Sequence, residues 1–179
     1  LIYHPFQEPA TGAEENSMKA QPLDHLNLRI LEELQQDGRI SNQELAERVA
    51  LSPSACLARV RRLEAEGIIP RYRADLDLDR LEHAVEAFIE VSLASHQRDS
   101  VARFEQAMLA HPNVVTCHRV SGQFDALVYV VAQDMQQLRQ VADDLLVAGL
   151  GVAKISTIPV LGTVKRFAGY PLRRLLEEE

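Results

Sequence analysis

Five arginines crowd one short stretch of this chain: Arg59, Arg61, Arg62, Arg71 and Arg73. Between residues 52 and 73 only Glu64 and Glu66 oppose them, leaving a local charge of +3. A guanidinium is a permanently charged, planar donor matched to phosphate oxygens and to the edge of guanine. At the front of the stretch stand Ser52, Ser54, Ala55 and Ala58, small enough to let a helix backbone approach a base edge. Small residues where a helix begins, with arginines further along, suit a helix lying in the major groove of duplex DNA. Ser52, Ser54, Ala55, Ala58, Arg59, Arg61 and Arg62 are therefore the candidate DNA contacts. Arg71 and Arg73 either add phosphate contacts or form a solvated strand edge.

A second group offers a different chemistry. Ser121, Gly122, Gln123, Phe124 and Asp125 combine backbone N–H groups, a glycine that permits close approach, and one carboxylate. Those are fitting partners for the two charged ends of an amino acid. The plainer alternative is that Gly122 and Asp125 only shape a hairpin. No constellation for covalent or metal chemistry accompanies either group. Cys117 and His118 are neighbours on an extended stretch, so they face opposite sides and cannot easily share a metal. His4, His25, His83, His96 and His111 show no ligand spacing, and G-x-S-x-G, P-loop and H-E-x-x-H motifs are absent. Asp143 and Asp144 adjoin on a helix and point apart. Neither an enzyme nor a cofactor is expected.

Helices must hold the arginine face. From Asp24, Leu28, Ile30, Leu31 and Leu34 share a side and the run stops at Asp37-Gly38. Ser41 and Glu44 make a capping box for a second helix with Leu45, Ala46 and Val49 on its apolar side. Ser52 then caps a third, with Pro53 at its first position and Gly67 as its stop. Cys56, Val60 and Leu63 form the buried stripe of that helix, with Leu57 at its edge. Beyond Gly67 the chain is extended, and Pro70 restricts any strand there to an edge or a linker. From about residue 81 the pattern becomes β-α-β-β-α-β. Ala87, Ile89, Val91 and Leu93 alternate along a first strand, and Val101, Phe104 and Met108 mark a helix. Strands follow over 114–120 and 124–132 around a tight turn at 121–123. Asp134 caps a helix with Leu138, Val141 and Leu145, and a last strand spans 154–164. The fold class expected is α+β: a three-helix helix-turn-helix domain, then a ferredoxin-like βαββαβ domain. Its open sheet face is one that a small domain covers by dimerising.

The run LDHLNLRILEELQQDGRISNQELAERVALSPSACLARVRRLEAEGII, over 23–69, resembles the N-terminal domain of the Lrp/AsnC (feast/famine) transcription regulators. CHRVSGQFD at 117–125 resembles C-H-x-V-S/T-G-x-F/Y-D of the same family's ligand-binding (RAM) domain. The resemblance spans nearly all of the chain after residue 22. It implies a homodimer that assembles further, a linker strand paired with its twofold mate, and an amino-acid effector bound near the turn at contacts between dimers. Carried over by motif, the effector residues are Gly122, Gln123, Phe124 and Asp125, with Thr157 a weaker candidate. Gln123 replaces the acidic residue common at its position, which argues against a basic or strongly ammonium-anchored ligand.

Composition agrees. At 179 residues and 46% hydrophobic, one large or two small domains can bury a core. No apolar run reaches the ~20 residues of a membrane helix, and two distant cysteines suit a reducing cytoplasm. The net charge of −7 looks wrong for a DNA binder, but Glu8, Glu14, Glu15, Glu177, Glu178 and Glu179 supply six of those charges at the ends. Local field matters more than the total. The expected plan is a disordered or expression-derived tail (1–18), the helix-turn-helix domain (19–68), a linker strand (69–80), the RAM domain (81–168) and a C-terminal tail (169–179). The expected function is a cytoplasmic, effector-responsive regulator that binds double-stranded DNA. The rivals are an architectural DNA-wrapping protein without effector and, further off, a small ferredoxin-like enzyme.

Overall fold

The computed structural model describes residues 23–81, 84–147 and 149–176. The expected tail over 1–18 and the closing acidic residues lie outside them. The described residues form two compact units: 23–73 together with 167–176, and those within 74–166.

In the first unit α2 (Asn42–Arg48) and α3 (Pro53–Ala65) begin on the expected caps Ser41 and Ser52, and α1 (His25–Gln36) begins on Asp24. Asp24, Ser41 and Ser52 accept the N–H groups of Asn27, Glu44 and Ala55, satisfying donors that a helix start leaves open. Only half of the capping box forms, because the Glu44 carboxylate turns to Arg48 at 2.6 Å. Ile30, Leu31, Leu45, Ala46, Val49, Cys56 and Leu63 make one buried core. Each large apolar side chain in it contributes about 2 kcal/mol by leaving water. Gly67 ends α3 with a φ of 72°. The segment expected as a C-terminal tail carries a further short helix, α6 (Leu172–Leu176), whose Leu172 packs against this core.

The second unit is a four-stranded antiparallel sheet in the order β2-β3-β1-β4, built from β1 (Val85–Leu93), β2 (Val114–Arg119), β3 (Ala126–Ala132) and β4 (Val152–Pro159). The helices α4 (Arg98–Ala110) and α5 (Met135–Val147) follow β1 and β3 in the chain. This is the ferredoxin-like arrangement expected. Ala87, Ile89 and Val91 stand opposite Val130, Val128 and Ala126, and Phe104, Met108, Leu138, Val141 and Leu145 complete their core. Phe88 pairs with Tyr129 and Ile158, and Phe88 and Ile158 stay 38% and 45% exposed.

Three boundaries differ from the sequence reading. The turn after β2 is a six-residue loop over 120–125, and β3 starts at Ala126 rather than Phe124. Asp125 still donates its backbone N–H to the Val91 carbonyl and accepts the Val120 N–H, while its carboxylate accepts the Leu93 N–H. The last strand stops at Pro159 instead of Val164. Ala87 faces Pro159 and β1 begins at Val85, so the backbone beyond residue 160 soon has no neighbour. Finally, residues 69–80 make no strand pairing among the described residues, and carry a 3₁₀ turn at Leu78–Arg80.

Candidate functional site

Helix α3 separates into two sides. Cys56 and Leu63 are fully buried, whereas Ser54, Ala55, Ala58, Arg61 and Arg62 are all exposed. Ser52 sits at the mouth of the helix, its Oγ 3.3 Å from Ser54 Oγ. Arg62 lies 3.5 Å from Glu66, and both side chains are more than 40% exposed, so the pair is weak and easily exchanged for another anion. Asn42 Nδ2 donates to the Pro53 carbonyl at 2.9 Å, tying the start of α2 to that of α3. Arg48 spans α1 and α2 through Glu33 at 2.9 Å and Glu44 at 2.6 Å. Tyr72 donates to Glu64 at 3.0 Å; burial and the adjacent carboxylate push its phenol up to about 12.

Arg59 does not join this face. Its Nη1 lies 2.6 Å from Asp24 Oδ2 and 2.8 Å from Asn27 Oδ1, against the start of α1. Burial works against ionisation of Asp24, yet the Asn27 N–H and the Arg59 guanidinium hold its carboxyl below the usual range. The signal was present in the helical phase. At about 100° per residue, Arg59 stands about 65° from the centre of the buried stripe, against about 130° for Arg61 and Arg62.

At the loop of the second unit, Gly122 has a φ of 145° and open space where a Cβ would stand; a side chain there would be strained by backbone alone. Ser121, Gly122 and Gln123 are exposed and Phe124 is half-buried. Asp125 accepts the Leu93 N–H at 2.7 Å and lies 2.8 Å from His96 Nε2, which depress its pKa. Beneath it is a cavity of about 140 Å³ with Val101, Phe104 and Ala126 inside and His96, Arg119 and Asp125 among its polar lining residues. His96 and Arg119 were not among the sequence candidates, since neither stands in a ligand-like spacing. Thr157 is not brought to this loop within one protomer. It faces Ile89, four residues before Leu93, or about 13 Å along the strand. Among the described residues no cluster of His, Cys, Asp or Glu has metal-binding geometry, and no helix is long and apolar enough to cross a membrane.

A capped three-helix head with one outward arginine face, followed by a ferredoxin-like unit with a polar loop, defines a transcription regulator with separate DNA-binding and ligand-binding domains. The comparisons agree domain by domain. A winged helix-turn-helix DNA-binding family matches residues 23–69, and the Lrp/AsnC ligand binding domain matches residues 86–169. The chain belongs to the Lrp/AsnC family. It is 40% identical over 144 residues to the leucine-responsive regulatory proteins of Klebsiella pneumoniae and Escherichia coli, covering 80% of this chain and 88% of each relative. A transcriptional regulator of Neisseria meningitidis, solved as a complex with L-methionine, is similar at 36% identity and a TM-score of 0.78, covering 86% of this chain and 99% of that one. The feast or famine regulatory protein of Mycobacterium tuberculosis, also complexed with L-methionine, has 27% identity and a TM-score of 0.73, covering 83% and 98%.

Proposed function

We propose that this protein binds operator DNA as a homodimer and changes its affinity when a small effector, an amino acid, occupies the ligand-binding domain. The observation carrying the DNA contact is the exposed side of α3, where Ser54, Ala55 and Ala58 lead into Arg61 and Arg62. The small residues meet base edges, the arginines meet phosphates or guanine, and Ser52 orients the helix start. Two such heads address half-sites about one helical turn, or a multiple, apart. The exposed Phe88 and Ile158 supply the apolar surface for dimerisation, and the extended backbone before the 3₁₀ turn at Leu78–Arg80 is suited to pairing with its twofold mate.

The effector reading rests on the loop over 121–125, on the family, and on the two methionine-bound relatives. Gly122, Gln123 and Phe124 are its foremost contacts, at a meeting of dimers. Asp125, whose carboxylate already has two partners, chiefly shapes the loop. Thr157 joins such a site only from another protomer. Footprinting on the chain's own upstream region, with and without each amino acid, tests both parts. Absence of protection at any salt below ~0.2 M would reject DNA binding. Protection that no amino acid alters, with no rise in melting temperature in a screen of all twenty, would favour an architectural protein instead.

A further inference from the structure

We infer that Arg59 is a positioning residue, which locks the pitch of α3 on α1 through Asp24 and Asn27 and does not touch DNA. This rests on the DNA-binding reading above but gives one arginine of the cluster a different task. One guanidinium nitrogen, Nη1, reaches both Asp24 Oδ2 at 2.6 Å and Asn27 Oδ1 at 2.8 Å. These acceptors lie 35 and 32 residues away in sequence, so the contact fixes one helix against another and not a helix against itself. Asn27 is completely buried, and its carbonyl would lose this donor if Arg59 swung out to a phosphate. Asp24 Oδ1 meanwhile caps α1 by accepting the Asn27 N–H at 2.8 Å. Thus the carboxylate that starts α1 also holds the reading helix. A helix in the major groove tolerates little rotation before its side chains miss their base edges. Fixing the pitch before DNA arrives spares the complex that ordering cost.

The test separates a positioning arginine from a phosphate-binding one by salt dependence. A duplex is first selected from a randomised pool by the wild-type full-length chain, and binding of that duplex is titrated against salt. A lost phosphate contact lowers the slope of log K against log[salt] by about 0.9. Arg61→Gln serves as the control, with a slope lowered by about that amount. For Arg59→Gln the slope stays at the wild-type value while affinity falls about fivefold at every salt concentration. Asp24→Asn keeps a competent helix cap and shows the same loss, and the double variant is no worse than either single one. Arg59→Lys, whose ammonium can serve the same two acceptors, recovers most of the affinity. A slope lowered for Arg59→Gln as for the control, with Asp24→Asn binding like wild type, overturns the inference and leaves DNA binding intact. Thermal unfolding of wild type, Arg59→Gln, Asp24→Asn and their double variant without DNA is the second readout; strictly additive melting-temperature losses would also overturn it. If wild type selects no duplex, the DNA reading falls and this inference with it.

Discussion

Ala50 carries a φ of 57°, the left-handed region, at the break between α2 and α3. Its N–H reaches the Glu47 carbonyl at 3.2 Å and the next N–H, of Leu51, reaches Ala46 at 2.9 Å, so the geometry is set by the helix end. An alanine there is strained by about 1–2 kcal/mol. Ala50→Gly removes that strain and restores part of the lost entropy to the unfolded chain. A net gain of about 0.5 kcal/mol is expected, read as a rise in the melting temperature of the head by calorimetry; an unchanged or lower value would refute it. Asp125 makes a second prediction. Its native pKa lies below 3.8, lowered by the Leu93 N–H and His96. A carboxyl depressed on folding stabilises above its unfolded pKa, and the contribution is lost as pH falls through the native value. The melting temperature of the ligand-binding unit is therefore expected to decline as pH falls below the ordinary aspartate pKa of about 3.9 and through the lower native one. Asp125→Asn keeps an acceptor for the backbone N–H, lowers stability by about 1 kcal/mol at pH 7, and flattens that decline. A decline as steep as wild type would show the carboxylate to be uninvolved.

At the scale of elements, caps and periodicity announced α1, α2 and α3, because each depends on residues within a few positions of one another. The same holds for β1, α4 and α5, whose apolar phase matches one buried side. What the sequence hid depends on distant partners. Helical phase sets Arg59 apart from Arg61 and Arg62, but its partner Asp24 lies 35 residues back in the chain. The end of β4 depends on where β1 begins, and the carboxylate of Asp125 finds its partner on the distant Leu93 N–H. The capping box keeps its Ser41 half, while the Glu44 carboxylate pairs with the charged Arg48. The least legible element is α6, a single turn far too short to persist alone. It is held where it is by partners on α1: Arg173 lies 2.9 Å from Glu32, and the Tyr170 N–H donates to Gln35 Oε1 at 2.6 Å. Leu172 adds the apolar contact. Because Leu172 is half-buried, Leu172→Ala is expected to cost the head about 1–2 kcal/mol, visible in its denaturant midpoint. If α6 were ornamental, the midpoint would not move.

For the whole molecule the decisive number is how many heads reach DNA at once. A net charge of −7 gives the chain as a whole no attraction to a polyanion, and one helix face with two exposed arginines neutralises few phosphates. In the proposed homodimer two heads meet one duplex, where the second engagement is intramolecular and gains from effective concentration. The surface suited to joining protomers is the open side of the sheet, where Phe88 and Tyr129 rings lie 5.2 Å apart beside Ile158. Burying that patch between two copies removes apolar surface that a lone protomer exposes. Phe88→Glu places a charge at its centre and is expected to turn a sedimenting dimer into a monomer. Phe88 is only 38% exposed, so the replacement also disturbs the protomer. Ile158→Lys, at 45% exposed, repeats the test with less loss of internal packing. Circular dichroism and the melting temperature of the head should change little in either variant, since α1, α2 and α3 bury their own core. DNA affinity, in contrast, should fall about a hundredfold, because each head must then bind alone. Variants that remain dimeric would place the joining surface elsewhere. Monomeric variants with undiminished affinity would remove the need for two heads, and with it the half-site spacing that this assembly predicts.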